Sequence, residues 1–117
     1  MKHRIAHRKL GRNTSHRLAL LRNLLRSLIL HGKIQTTHEK AKEAGRLFDR
    51  MVGRAKKGDL ASVRLIARVL VERDIVRRLV AEIAPKMQTR SSGFTRIMKI
   101  GFRRGDGAGV SILEIVE

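Results

Sequence analysis

The apolar residues of this chain recur with two different periods, and the change of period limits the folds that the chain can adopt. From His16 to about Ile83 they recur every three or four positions, which is the spacing of one face of an α-helix. From Gly93 onward they alternate with polar residues, as in a strand with one buried face. A chain that is helical first and ends in strands is expected to pack its helices on a small sheet.

The first helix is expected to follow a hydroxyl cap. Thr14 or Ser15 can accept a backbone N–H bond of the first turn, and Gly32 can end the helix because it reaches positive φ without steric cost. A leucine stripe marks the buried side, and Arg22 and Arg26 lie on the other side. The stripe consists of Leu18, Leu21, Leu25 and Leu28, and it is widened by Leu24 and Ile29.

Three further helices are expected, each opened by a side chain that can accept a backbone hydrogen bond. These opening residues are Thr36, which forms a capping box with Glu39, then Asp59, and then Asp74. The second helix extends to about Lys57, the third covers about residues 60–70, and the fourth stops before Pro85, which has no N–H. The positions expected to face the core are Ala41, Ala44, Phe48, Met51 and Ala55 in the second helix and Ile75, Leu79, Val80 and Ile83 in the fourth.

Three short strands are expected to complete the fold. The segment KIQT after Gly32 is too short for a helix, and the segments GFTRIMKIGF and VSILEIV alternate. A glycine-rich loop, RRGDGAG at 103–109, joins the last two strands as a hairpin. Phe102, like Phe48, is expected to be a core residue. The apolar residues that share one parity in the first strand of the hairpin are Phe94, Met98, Ile100 and Phe102.

The expected architecture is an α+β domain with the two-layer order α-β-α3-β2, in which the helices pack on a small mixed sheet. Residues 14–117 are expected to form this single globular domain, and the apolar content of 42% is enough for a modest core. Residues 1–13 show neither period and are expected to form an extended basic arm.

The charge of the chain is strongly positive and unevenly distributed. Lys and Arg number 27 against 10 Asp and Glu, which gives a formal net charge of +17. The first acidic residue is Glu39, and a second acid-free block runs from 83 to 105. Like charges oppose compaction, so the chain is expected to bind a polyanion, with nucleic acid the first candidate and an anionic membrane surface the second. Two blocks of unmixed charge suggest two surfaces held against one polyanion.

The basic arm has three roles that charge alone leaves open: penetration of folded RNA, a solubility tail, or a cleaved transit peptide. Penetration of RNA is favoured because the arm leads directly into the first core helix and the second acid-free block needs a matching surface. The residues expected to contact RNA from this end of the chain are Lys2, His3, Arg4, His7, Arg8, Lys9, Arg12, Asn13, His16, Arg17 and Arg22.

Two further sets of cations are expected to contact RNA from the globular part. One set recurs every four residues on the second helix, and the other lies on the last hairpin. The helical set is Lys42, Arg46, Arg50 and Arg54, and the hairpin set is Arg96, Lys99, Arg103 and Arg104. The leucine-rich first helix is too short and too charged to span a membrane, although an interfacial helix stays open.

The sequence gives little support for a metal site, a nucleotide-binding loop or a cell-adhesion motif. There is no cysteine, and the His3–His7 pair lies in a cationic field that repels metals. The loop RRGDGAG lacks the Lys–Ser/Thr pair of a nucleotide-binding loop, and its RGD tripeptide is read as coincidence. The ten acidic residues are expected to be helix caps or surface partners of basic residues. We therefore expect that the protein is not an enzyme and binds no cofactor, metal or small-molecule substrate.

Trp and Tyr are absent, which favours recognition of RNA backbone and shape over stacking on bases.

Several motifs in a fixed order resemble one known family. They are HR near the start, RKLGR, SHR, RN, TTHEKAKE at 36–43, GFTRIMKIGFRRGD at 93–106, and ILEIV near the end. In these motifs, over essentially its whole length, the chain resembles the bacterial large-subunit ribosomal proteins numbered 17. Each motif is weak alone, but their order and spacing together are specific.

The resemblance implies the same α-β-α3-β2 order and binding to large-subunit (23S-type) ribosomal RNA near the peptide exit tunnel. It also implies ribosomal protein neighbours such as the one numbered 32, a cytoplasmic location in the ribosome, and an arm that starts the mature chain. Phe94 stands where the family usually has tyrosine, and DGAGVS differs from the usual loop. No specific contact is therefore carried over for residues 108–111.

Two alternatives of other classes remain at this stage. A general nucleic-acid-binding protein of the nucleoid shares the charge, and it would bind duplex DNA as well as ribosomal RNA. A membrane-active protein would use the leucine-rich helix and would make vesicles leak. An enzyme is a distant third because no catalytic group of residues is found.

Overall fold

A computed structural model describes residues 14–116 of the protein. In this part of the chain four α-helices and three strands follow one another in the order α1, β1, α2, α3, α4, β2 and β3. Their bounds are α1 Thr14–His31, β1 Lys33–Thr37, α2 His38–Lys57, α3 Leu60–Leu70, α4 Arg73–Arg78, β2 Thr95–Phe102 and β3 Gly109–Ile115. The α+β class and the order α-β-α3-β2 are confirmed. The expected arm at 1–13 lies outside the described residues.

The three strands form one sheet in the order β1-β3-β2, and both pairings are antiparallel. The expectation of a mixed sheet is therefore wrong. Three helices and β2 separate β1 from β3 along the chain, and the two strands run in opposite directions, so no parallel pair arises. Ile34 lies opposite Leu113, and Ile97 lies opposite Leu113 from the other side. Leu113 thus occupies the centre of the sheet and is fully buried.

One apolar cluster joins the helices to the sheet. Its largest fully buried side chains include Phe48 of α2, Leu25 and Leu28 of α1, and Leu113 of β3. Each such side chain contributes roughly 1.5–3 kcal/mol when it is removed from water. The core positions expected in α2 are all buried, and Val52 joins them. In the fourth helical region Ile75 and Leu79 are buried, whereas Val80 and Ile83 are half-buried.

The first helix departs from expectation at its beginning. It includes Thr14 and Ser15, so neither residue precedes the helix as a cap. Leu18, which begins the expected stripe, is 53% exposed, whereas Leu25 and Leu28 are fully buried. The first turn of α1 therefore extends past the core. At the other end the N–H of Gly32 donates to the carbonyl of Leu28 at 2.8 Å with φ 82°, as expected for a glycine stop.

The caps of α2 and α3 show how local signals can be right in kind and wrong by one residue. Thr37 caps α2, and its Oγ1 accepts a bond from the N–H of Lys40 at 3.4 Å. The capping box from Thr36 is wrong because Thr36 is the fourth residue of β1 and pairs with Ser111. Asp59 caps α3 as expected and accepts from the N–H of Ser62 at 3.1 Å.

The fourth helical region differs most from expectation. Its cap position is Glu72 instead of Asp74, and the Glu72 side chain makes no cap bond because it pairs with Arg26. The α-helix ends at Arg78, before Pro85 as expected, but the helical backbone continues past the proline. It widens into a π-helical turn at Leu79–Ile83 and then narrows into a 3₁₀ turn at Ala84–Met87. A change of helical pitch at this point accommodates the ring of a proline, which cannot sit in a regular α-helix interior.

Strand β2 presents the opposite face from the one expected. Phe94 is buried but precedes the strand, and Ile97 and Thr95 are the residues that face the helices. The even-numbered apolar residues are exposed: Met98 by 40%, Ile100 by 50% and Phe102 by 83%. Phe102 is therefore not a core residue. A bulge between Lys99 and Gly101 breaks the alternation that the sequence suggested.

Candidate nucleic-acid interface

Helix α2 carries a row of basic side chains that we call the α2 ridge. Arg46 and Arg50 are exposed, and Lys42 and Arg54 are half-buried. The ion pairs formed within residues 14–116 involve other cations, so no described carboxylate neutralises the ridge. Twelve residues of helix rise about 18 Å, a length sufficient to contact several phosphates. Like charges four residues apart repel, and a bound polyanion relieves that repulsion.

The ridge faces solvent because the opposite side of α2 is held against the sheet. A Cβ atom on Gly45 would lie 3.3 Å from Thr95 Oγ1 and 3.4 Å from Leu113 Cδ1, so glycine permits this close approach. At the start of the helix, His38 Nδ1 lies 3.0 Å from Ser111 Oγ. These contacts fix the rotation of the helix and direct Arg46 outward.

Asp49 forms another attachment between α2 and the sheet. Its Oδ1 accepts a hydrogen bond from the N–H of Phe94 at 3.1 Å. Partial burial raises the pKa of Asp49, and the hydrogen bonds from Phe94 and Thr95 oppose that rise. The carboxylate thus secures the beginning of β2 and is not available to neutralise the α2 ridge.

Two of the four predicted cations on the hairpin formed by β2 and β3 are paired with carboxylates. Arg96 Nη2 lies 2.8 Å from Glu114 Oε1, and Arg103 donates to Asp106 at 2.5 and 3.2 Å. The hydrogen bond from Arg103 lowers the pKa of Asp106 to about 2. The bond from Arg96 likewise lowers the pKa of Glu114.

Lys99 and Arg104 are the hairpin cations that remain free of a described ion pair. Both side chains are exposed, and neither takes part in the ion pairs formed within residues 14–116. The hairpin therefore offers two uncompensated charges and two that a carboxylate already balances. Lys99 and Arg104 are the stronger candidates for contacts with phosphate.

Arg22 and Arg26 of α1 have partners within the fold. Arg22 Nε donates to the carbonyl of Val69 at 3.0 Å, and Arg26 Nε lies 2.7 Å from Glu72 Oε1. Val69 is in the last turn of α3, where carbonyls lack helical partners. Val71 directly follows α3, in the turn to α4, and has φ 68°. This conformation costs a β-branched residue roughly 1–3 kcal/mol. Arg22 stabilises this turn, so its predicted contact with RNA has to use its remaining N–H groups.

The remaining predicted contacts divide between the start of α1 and the arm. His16 is exposed and Arg17 is half-buried in the first turn of α1. Lys2, His3, Arg4, His7, Arg8, Lys9, Arg12 and Asn13 lie outside the described residues. Those eight contacts stay predictions.

The structure also reveals charged residues that the sequence did not single out. A groove of about 640 Å³ between the end of α1 and the π-helical turn contains Lys33, Arg78 and Lys86. Arg78 lies 3.9 Å from Glu82, so its charge is partly balanced. The only sequence signal was the position of Lys86 in the second acid-free block. Glu43 is a second surprise, because it is 6% exposed and is not the surface acid that we expected.

Two kinds of site are missing from residues 14–116. No group of three or more His, Cys, Asp or Glu side chains in this range could hold a metal ion. No helix in the same range has the length and apolar character needed to cross a membrane. The geometry of the described part is thus that of a small core with uncompensated cations on α2 and on the hairpin.

Comparison with known proteins identifies the family. A family model described as Ribosomal protein L17 matches residues 20–116. The chain is 45% identical over 117 residues to the large ribosomal subunit protein bL17 of Myxococcus xanthus. The aligned region covers 100% of this chain and 84% of the relative. It is 48% identical over 112 residues to that of Desulfitobacterium hafniense, covering 96% and 100%. It is 51% identical over 110 residues to that of Clostridium botulinum, covering 94% and 97%. With this extent of similarity, the chain belongs to the ribosomal protein L17 family.

Proposed function

We propose that this protein is a structural constituent of the large ribosomal subunit that binds folded large-subunit ribosomal RNA and catalyses no reaction. The observation that carries the proposal is the α2 ridge. Arg46 and Arg50 are exposed on a helix whose other side is fixed to the sheet, and no described carboxylate balances them. Unpaired guanidinium groups bind phosphate oxygens through charge-assisted hydrogen bonds that are often bidentate.

Three basic surfaces act on the same RNA in this proposal. The α2 ridge and the hairpin cations Lys99 and Arg104 contact the backbone from the globular part. The arm at residues 1–13 passes between RNA helices and neutralises phosphates that repel one another. Each contact releases counterions, so binding weakens by about 10³–10⁵ from low to moderate salt if six to ten phosphates are contacted.

The position within the subunit forms a finer part of the proposal, and the resemblance to the family supports it. The protein lies in the cytoplasmic ribosome near the peptide exit tunnel, with the protein numbered 32 among its neighbours. It requires no membrane and no small-molecule ligand. A photoreactive residue at position 60 or 73 in assembled subunits can be cross-linked to neighbouring proteins, and the protein numbered 32 is expected among the products. Cross-links only to other proteins would contradict that placement.

A direct binding competition tests the main proposal against a general nucleic-acid-binding protein. The full chain is titrated with a transcript of large-subunit ribosomal RNA and, separately, with duplex DNA of equal phosphate content at moderate salt. Tighter binding to the ribosomal transcript is expected, together with co-sedimentation with large subunits on a sucrose gradient. Equal affinity for the two polymers contradicts a ribosomal role.

Removal of the arm provides a second test. A chain that lacks residues 1–13 is expected to bind the ribosomal transcript more weakly while its melting temperature stays nearly unchanged. The physical reason is that the arm's partners are phosphates of another molecule. A large fall in melting temperature would show instead that the arm is part of the fold.

A further inference from the structure

Phe102 is the most exposed large apolar side chain in the described part of the chain. Its exposed fraction is 83%, compared with 2% for Phe94 and none for Phe48. An isolated exposed leucine or valine needs no explanation, but a phenylalanine ring almost wholly in water leaves much of its stabilising area unused. The position of the ring indicates what could cover it.

The backbone places Phe102 one pairing step past the end of β1, beside a pocket that Gln35 and Thr36 also line. The bulge between Lys99 and Gly101 shifts the pairing, so Phe102 lies opposite Gly109. β1 ends at Thr37, opposite Val110, and α2 begins one residue later. The hairpin therefore extends past both the neighbouring strand and the helix, and neither of them covers the ring.

Glycines also leave the surroundings of the ring open. Gly109 directly across the sheet contributes no side chain, and Gly101 precedes Phe102 on the same strand. A Cβ atom built on either glycine would meet no atom within 4 Å. Gly101 has φ 142°, which side-chain-bearing residues rarely adopt, so the bulge itself favours glycine. The space next to these two glycines is therefore open, and the ring itself is 83% exposed.

The charges beside Phe102 identify a suitable ligand. Lys99 precedes it by three residues and Arg104 follows it by two, and both are exposed and free of a described ion pair. Arg103 is held by Asp106. Two cations without a described carboxylate partner favour a polyanion, because its phosphates can balance both charges. A flat aromatic group attached to negative phosphates matches both the ring and the two cations.

We propose that Phe102 stacks on an unpaired base of the RNA, while Lys99 and Arg104 bind the phosphates on either side of that nucleotide. This inference rests on the proposed function, since it names a contact within the same RNA complex. It differs from the expectation that the protein recognises RNA backbone and shape and does not stack on bases. It adds one position of base contact to an interface otherwise built on the phosphate backbone.

The test uses three substitutions at Phe102 in the full chain and a transcript of large-subunit ribosomal RNA. Phe102→Ala is expected to weaken binding roughly 5- to 150-fold, the effect of one lost stack. Phe102→Leu keeps an apolar side chain but loses the flat ring, and a similar loss is expected. Phe102→Trp is expected to retain affinity. The slope of affinity against salt stays unchanged for all three, because no phosphate contact is removed.

Phe102→Trp also supplies a direct signal, since the chain has no other tryptophan. Its fluorescence is expected to be quenched by the transcript and not by a fully paired RNA duplex, which offers no free base. Leu60→Trp is the matched control, because Leu60 is 64% exposed at the start of α3, outside the hairpin. Its fluorescence is expected to stay unchanged with either RNA.

The outcomes separate this inference from the proposed function. If the unaltered chain binds the transcript with a steep salt dependence but Phe102→Ala binds equally well, stacking is wrong and the proposed function stands. If Phe102→Ala binds naked RNA normally but enters subunits poorly, Phe102 contacts a protein, and stacking is again wrong. If the unaltered chain does not bind the transcript at all, both proposals fail.

Discussion

The arginines of α1 and those of α2 are alike in sequence and opposite in use. Arg22 and Arg26 of α1, like Arg46 and Arg50 of α2, lie four residues apart on the side away from the leucine or alanine seam. Arg22 and Arg26 turn out to hold the α3–α4 turn through Val69 and Glu72. Arg46 and Arg50 contact no described carboxylate and face solvent. The difference teaches that a basic helix face stays available to a polyanion only where no neighbouring element covers it.

Charge reversal on α2 is expected to have the largest effect. Arg46→Glu with Arg50→Glu should weaken binding to the ribosomal transcript about 100-fold or more, because each charge-assisted bond contributes roughly 1.5 kcal/mol. The melting temperature should change little. Filter binding at fixed salt measures the affinity.

The matched control for that change is Arg73→Glu with Arg77→Glu. These residues are also four apart and exposed, but they lie on α4. They should lower affinity much less at the same net charge. Equal losses for the two double variants would mean that total charge, and not the α2 ridge, determines binding.

Loss of the Arg22 contact is expected to have the next largest effect. Arg22→Ala should lower the free energy of unfolding by about 1–3 kcal/mol, because the carbonyl of Val69 loses its donor in a half-buried place. Arg46→Ala, by contrast, should stay within about 0.5 kcal/mol. Urea denaturation of both variants measures the difference. If the two variants are equally stable, α1 and α2 do not differ as the structure indicates.

The carboxylate of Asp49 should show a smaller, pH-dependent effect. Because burial raises its pKa in the folded state, folding favours the protonated form. Its contribution to stability is therefore greatest below the ordinary value of 3.8 and declines as pH rises through the raised folded pKa. Asp49→Asn keeps an acceptor for the Phe94 N–H without an ionisable charge.

We expect Asp49→Asn to remove that part of the pH dependence and to be at least as stable as the parent at pH 7. Asp49→Ala should be less stable at every pH, since it leaves the N–H of Phe94 without its acceptor. Urea melts between pH 3 and 7 measure all three proteins. A parent whose stability rises across this window through Asp49 would contradict a raised pKa in the folded state.

The Arg103–Asp106 pair should have the smallest effect on stability. Both side chains are more than half exposed, so solvent screens the pair. Arg103→Ala should nevertheless raise the pKa of Asp106 from about 2 toward 3.8, because the hydrogen bond from Arg103 is the largest cause of the shift. A carboxyl titration by NMR measures the pKa, and an unchanged value would show that the pair does not persist in solution.

Local signals in the sequence predicted most of the helical part. Gly32 and Gly58 end helices at positive φ, Asp59 caps α3, and α3 covers residues 60–70 as expected. These features succeed because a cap or a glycine acts within one turn of its own position. The family was likewise indicated by short motifs in a fixed order, which do not depend on packing.

Tertiary structure decided what depends on a distant partner. The sequence alone could not show that β3 lies between β1 and β2, that Phe102 lies past the end of β1 and stays exposed, or that Val69 and Glu72 bind Arg22 and Arg26. The alternation in β2 was visible, but which face is buried depends on register, and a shift by one residue exchanges the two faces. The sequence thus determined the helices and the excess of charge. Packing determined which charges and which aromatic ring remain free, because a side chain is available to RNA only if no neighbour in the fold has bound or covered it.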